Sequence, residues 1–229
     1  MARLRRLIIP FQPHYLILRG NNGQAIFQEA EDYQAFLDWL RSAARTFKVA
    51  LHAYVMLPDC VHLLVSPGDE VGLGRMMQWI GRQYVPYFNK KYGRSGTLWQ
   101  GRYKTSLVDG EHFFMLCCRY IEFCPVRAGL AATPLDYPWS SHAGHVGQRP
   151  DPVVTEHPLY WALGNTPFER EAAYLALTGQ DVVAAEIKAI EKAVLKGRPL
   201  GSDAFMSALE QKIKRRVLPA KRGRPFKTI

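Results

Sequence analysis

The sequence predicts an α+β fold: an antiparallel sheet with helices on one face, followed by a C-terminal helical appendage. Three observations lead there. Short runs rich in branched residues alternate with apolar patterns of helical period. Two of those runs, "KVALHAYVML" and "CVHLLVSP", are separated only by Pro58-Asp59, which reads as the turn of a hairpin. Beyond the Pro- and Gly-rich stretch "TPLDYPWSSHAGHVGQRPDP", only helical patterns remain.

The elements come in order. "HYLILRG" (14–20) alternates and is rich in branched side chains, as a strand requires. "NNGQ" then supplies a turn. Phe36, Leu37, Leu40, Ala43, Ala44 and Phe47 recur at helical spacing and predict a helix from Glu31. The hairpin 48–67 comes next. Leu73, Met76, Met77, Ile80 and Tyr84 mark one face of a second helix running to about Tyr92, where "GRSG" breaks it. "TLWQGRYKTSLVD" (97–109) is strand-like. "GEHFFMLCCRYIEFC" (110–124) reads as a helix stopped by Pro125. The order β-α-β-β-α-β is that of a ferredoxin-like split βαβ sandwich. Residues 1–145 form this unit, 146–216 a helical appendage with helices near 167–178, 181–194 and 203–216, and 217–229 a basic tail.

The net charge of +10 points to a polyanionic partner, with nucleic acid the first candidate. The distribution sharpens this. No acid follows Glu210, whereas Lys212, Lys214, Arg215, Arg216, Lys221, Arg222, Arg224 and Lys227 do, which reads as an arm for phosphates. No apolar run reaches the roughly 18 residues that span a bilayer, so no membrane is expected. The basic opening "MARLRRLIIPF" meets Pro13 at once and shows no cleavage site. Cys60, Cys117, Cys118 and Cys124 have no spacing of a secreted disulfide framework, so a cytoplasmic location with reduced thiols is expected.

The period of two puts Cys60 and His62 on one strand face, and thiolate and imidazole are both metal ligands. Two ligands do not make a site, and a lone strand histidine is more often structural. On the helix, Cys117, Tyr120 and Cys124 share one stripe at i, i+3 and i+7. A tyrosine there is usually packed core, and as a nucleophile it needs activation. Arg102, Tyr103 and Lys104 suit phosphate contact and base stacking, or a basic solvated strand with one aromatic in the core. Trp139-Ser140-Ser141 reads as a packed tryptophan and a turn, and His142, His145 and His157 as solvated loop histidines.

"LHAYVMLPDCVHLLVSP", "GTLWQGRYKTSLVD", "CRYIEFCPVRAGLA" and "PLDYPWSSHAG", four blocks in order across residues 14–142, resemble the single-tyrosine transposase family. They are most similar to its branch associated with repetitive extragenic palindromes (REP). The resemblance implies cleavage and rejoining of single-stranded DNA beside a hairpin, through a 5′-phosphotyrosine intermediate. It assigns the nucleophile to Tyr120. In a protein of that kind the basic residues Arg102, Lys104, Arg119 and Arg127 and the tail, including Lys214, Arg215, Arg216, Lys221, Arg222 and Arg224, are expected to contact DNA. It implies a magnesium or manganese ion on a His-hydrophobic-His pair, of which His62 is the second member, with a third ligand one helical turn after the tyrosine. This chain departs from that pattern, with Cys60 at the first position and Cys124 at the third. Thiolate suits magnesium poorly. Three readings stay open: a hairpin-binding protein that has lost its metal and its cutting activity; zinc held by Cys60, His62 and Cys124, with Cys117 as a further ligand; or oxygen ligands supplied by Asp59 or Glu122. The family works as monomers or dimers.

Overall fold

The computed structural model describes residues 6–179 and 182–213. Strand β1 (His14–Arg19) leads through a short 3-10 turn to helix α1 (Ala30–Thr46). The hairpin β2 (Val49–Leu57) and β3 (Cys60–Pro67) comes next, then α2 (Gly72–Lys91), β4 (Lys104–Leu107) and α3 (Gly110–Glu122). Six more helices complete the described chain: α4 (Cys124–Arg127), α5 (His142–His145), α6 (Pro158–Trp161), α7 (Pro167–Thr178), α8 (Ala184–Lys196) and α9 (Asp203–Ile213).

The four strands form one antiparallel sheet in the order β2-β3-β1-β4. This is the strand order of the split βαβ sandwich. Because side chains alternate along a strand, Leu16, Leu18, Val61, Leu63, Val65, Tyr54 and Met56 share one apolar core with α1 and α2. On α1, Phe36, Leu40 and Ala43 are buried; on α2, Leu73, Met76, Ile80 and Tyr84 are. Asp32 orders the start of α1. Its Oδ2 accepts from the backbone N–H of Gln28 and Glu29 and from the Tyr92 hydroxyl, and its Oδ1 from Tyr87 and Lys91.

The sequence pattern predicts helices on one face of the sheet, but the structure has them on both. Tyr15, Ile17, Val55, Cys60 and Leu64 point to the second side, where they pack with α3 and with Ile190, Ala193 and Val194 of α8. The physical reason is composition. Both sets of alternating positions in the hairpin are apolar, and an apolar sheet face needs a cover. Residues beyond 145 therefore share a core with the sheet. Leu200 also extends it: its N–H donates to Leu107 O and its carbonyl accepts from Asp109 N–H, both at 2.8 Å. At the opposite edge, β2 is engaged by residues after α4. Met56 N–H donates to Trp139 O, Ser141 N–H to Tyr54 O, and Thr155 N–H to Leu51 O.

Two further expectations change in extent. The strand expected over 97–109 shrinks to Lys104–Leu107, because Gly101 at φ +68° turns the chain and Trp99 leaves to stack on Tyr84, with ring centroids 5.9 Å apart. Pro125 does not end all helix. It occupies the first turn of α4, where its missing N–H costs nothing.

Asp32 is fully enclosed, and its pKa is lowered by its hydrogen bonds against the opposing effect of burial. Replacing it by alanine strands several donors, so Asp32→Ala is expected to cost about 2–4 kcal/mol in urea unfolding.

Candidate active site

Three parts of the chain meet at one end of the second face. The register pairs Arg19 with Cys60 and Ile17 with His62 across β1 and β3. Side chains opposite one another in a ladder share a face, so Tyr15, Ile17, Arg19, Cys60 and His62 all look toward α3. Tyr120 comes down from α3 onto this surface. Its ring lies 6.1 Å from that of Tyr15, centroid to centroid. Helix α8 closes the side. The result is a cavity of about 280 Å³ lined by Tyr15, Arg19, His62, Tyr120, Glu191 and apolar residues of β1 and α8.

The polar groups in it are specifically paired. The Tyr15 hydroxyl lies 2.6 Å from His62 Nδ1, and His62 Nε2 lies 3.5 Å from Cys60 Sγ. Burial raises the Tyr15 pKa well above the usual phenol value, so its hydroxyl keeps a proton to give. With that phenol as donor, the imidazole proton sits on Nε2 and faces the sulfur. The His62 pKa is lowered to about 3, mainly by burial, with help from the positive charges of Arg19 and Arg127. The ring is neutral at any physiological pH.

Tyr120 donates to Glu191 Oε1 at 3.2 Å. The Arg127 guanidinium sits 4.0 Å over its ring centroid, a cation–π contact, and donates to the Tyr120 carbonyl and to Cys124 Sγ at 3.0 Å. Burial raises the Tyr120 pKa, and Arg127 opposes the rise.

The donor set does not fit the metal that the resemblance implies. Magnesium and manganese need oxygen ligands, and the carboxylate beside Cys60, that of Asp59, is hydrogen-bonded to the Cys60 thiol. Burial raises the Cys60 thiol pKa, with the Asp59 charge adding to it, and pushes Cys124 up to about 11, so without a metal both sulfurs hold their protons. Cys124 is also occupied by the cationic Arg127. Among the described residues, no three of His, Cys, Asp and Glu stand where they could hold a metal ion. Cys117 is fully buried in the core between α3 and the sheet.

Glu122 is not available as an oxygen ligand either. Two residues beyond Tyr120 is about 200° around a helix, so it points away from the cavity. Its Oε1 accepts from Ser141 Oγ at 2.6 Å and from His145 Nδ1 at 2.5 Å. Its Oε2 accepts from His142 Nδ1 at 2.9 Å and from the Tyr174 hydroxyl at 2.8 Å. His142 and His145, expected to be solvated, are buried around this carboxylate. His157 stacks on Phe114, with ring centroids 4.1 Å apart. Asp59 is exposed in the hairpin turn.

Of the expected DNA contacts, Arg102, Lys104 and Arg127 are exposed, whereas Arg119 is buried and presents little surface to a phosphate. Lys214, Arg215, Arg216, Lys221, Arg222 and Arg224 lie outside the described residues. Three cavity residues are not singled out by the sequence. Tyr15 and Arg19 carry a weak signal, being two polar groups in phase on β1. Glu191 carries none. A second cleft of about 320 Å³ lies at the far end of the sheet, lined by Arg41, Arg45 and Lys48 without any acid.

Residues 12–123 match the family model described as "Transposase IS200 like". Residues 12–123 are therefore similar to an IS200-like transposase domain. The domain contains every described strand and Tyr120, whereas Glu191 lies outside it. Among solved structures, a REP-associated tyrosine transposase bound to a REP hairpin is similar at 21% identity and a TM-score of 0.54, over 69% of this chain and 92% of that one. This likeness supports the fold. A chain described as a transposase from Deinococcus radiodurans R1 is 24% identical, with a TM-score of 0.35 over 53% of this chain and 96% of that one. No curated protein matches the transposase-like chain. Among the described residues, no helix is long and apolar enough to cross a membrane.

The Glu122 cluster makes stability depend on pH. The Glu122 pKa is lowered, with the His145 charge and the hydrogen bonds from His142 and His145 outweighing burial; the His145 pKa is raised, with Glu122 outweighing burial. The Glu122 contribution is present above the unfolded glutamate pKa of about 4.3 and is lost as pH falls through the lower folded value. The His145 contribution is full below about pH 6.5 and is lost as pH rises through its folded pKa. The cluster therefore stabilises most between those limits. Glu122→Gln is expected to lose about 3–5 kcal/mol near pH 6 and to flatten the pH profile of urea unfolding.

Proposed function

We propose that this protein binds palindromic DNA hairpins and cleaves and rejoins the adjoining single strand through Tyr120. The observation that carries the proposal is the convergence of Tyr120, Arg19 and His62 on one cavity at the sheet surface. An attacking phenol needs a scissile phosphate held beside it, and a guanidinium is suited to that anion. Here Tyr120 Oη would attack phosphorus and the 3′-oxygen would leave, giving a 5′-phosphotyrosine and a 3′-hydroxyl. Arg19 and Arg127 supply positive charge on two sides. The REP hairpin bound by the similar solved transposase supports hairpin DNA as the ligand class. The second cleft and the exposed cations supply the phosphate grip: Arg41, Arg45 and Lys48 at the far end, Arg102 and Lys104 beside the site. A metal in this family would neutralise phosphoryl charge, but among the described residues no three of His, Cys, Asp and Glu stand where they could hold one.

The donor set favours a second reading: a structure-specific hairpin-binding protein that no longer cuts. Two assays separate the readings. In the first, a palindromic hairpin with a single-stranded flank is incubated with the protein in EDTA, magnesium, manganese or zinc and run on a denaturing gel. The cleaving enzyme gives a covalent protein–DNA band that disappears in Tyr120→Phe. Tight hairpin binding with no band under any condition overturns cleavage and leaves the binding protein. In the second, log Kd for the hairpin is measured against log salt concentration. The slope should be steep, and Arg41→Gln/Arg45→Gln should reduce it by about 2, one for each phosphate no longer neutralised. An unchanged slope would remove that cleft from the interface.

A further inference from the structure

Glu191 is an exposed carboxylate on α8, yet its Oε1 accepts the hydrogen bond of the one cavity tyrosine that comes from α3. Other enclosed tyrosines satisfy their hydroxyls inside the fold. Tyr84 donates to Ile26 O, Tyr160 to His145 O, and Tyr174 to Glu122. The Tyr120 partner differs in being open to solvent on one side and to the cavity on the other. A nucleophile within hydrogen-bond reach of a base is the arrangement by which weak oxygen nucleophiles are activated. Glu191 is held there by its helix. Its neighbours Ile190, Ala193 and Val194 are packed into the core against the sheet, so the carboxylate position is set by buried contacts on the adjoining turn.

We propose that Glu191 is the general base for Tyr120, a catalytic residue contributed from outside the IS200-like domain. This rests on the reading of Tyr120 as nucleophile. In the step, the bond between Tyr120 Oη and phosphorus forms as the phosphorus–O3′ bond breaks. The Tyr120 proton passes to the Glu191 carboxylate. The O3′ leaves with its electron pair and takes a proton from water, giving the 3′-hydroxyl. The rise in acidity of the phenol as it bonds to phosphorus drives the transfer to the carboxylate in a concerted step. Glu191 then returns its proton to bulk water across its exposed side. Because the base is a side chain, deprotonation does not depend on the metal that the donor set fails to accommodate.

The test is the single-turnover rate of covalent adduct formation on the flanked hairpin, with the hairpin Kd measured alongside, so that a rate reduced by weaker binding is separated from impaired proton transfer. Glu191→Gln is expected to slow adduct formation at saturating DNA by about 100-fold or more. Glu191→Ala is expected to be equally slow and to regain rate when formate, a carboxylate small enough for the cavity, is added. Adduct formation by Glu191→Gln at the wild-type rate or faster overturns the proposal and makes the hydrogen bond a restraint on Tyr120. Failure of formate to restore Glu191→Ala, with the hairpin still bound, also counts against a base. If wild-type protein binds the hairpin but gives no adduct, the nucleophile reading itself fails, and this inference with it.

Discussion

Everything at the site depends on how α3 is held against the sheet, and that is set by one buried carboxylate. Glu122 is wholly enclosed and accepts four hydrogen bonds, from Ser141, His142, His145 and Tyr174. An uncompensated charge in that position would cost several kcal/mol, and the four donors offset the cost. They come from the segment around α5 and from α7, so the carboxylate ties both to the last turn of α3. Tyr120 lies two residues earlier, on the side facing away from this anchor. Fixing Glu122 therefore fixes the angle at which Tyr120 meets β1 and β3.

The same sheet face shows what the fold does with thiols at two positions that the sequence resemblance marks as candidate metal ligands. Cys60 and Cys124 are small and apolar when protonated, and the fold treats them so. Both are buried, and both sit in the core that joins α3 to the sheet. Arg127 takes up the polarity left near Cys124, reaching its sulfur and the Tyr120 carbonyl while covering the Tyr120 ring. His62 gives both ring nitrogens to protein partners. The local charge that favours an anion then comes from Arg19 and Arg127, the two groups whose positive charge depresses the His62 pKa.

Much of this is legible in the sequence. Strand and helix periods place β1, β2, β3, α1 and α2 to within a residue or two, because each buries a face and must repeat at its own period. Tyr120 and His62 stand out because they sit in motifs. The second covered face is harder to see: apolar residues at both phases of the hairpin state that two covers are needed but not which helices supply them. The roles of His142 and His145 are hidden because they depend on Glu122, some twenty residues away. Glu191 is invisible for a similar reason. It follows Tyr120 by 71 positions, and nothing in "AIEKAV" marks one exposed glutamate among several.

The short pairings at the two borders of the sheet have a consequence for assembly. A border strand normally offers free N–H and C=O groups to which another extended chain can add. Here Leu51, Tyr54 and Met56 on one side, and Leu107 with Asp109 on the other, already bond to later segments of their own chain. At those positions the borders have no free backbone group to offer a second extended chain.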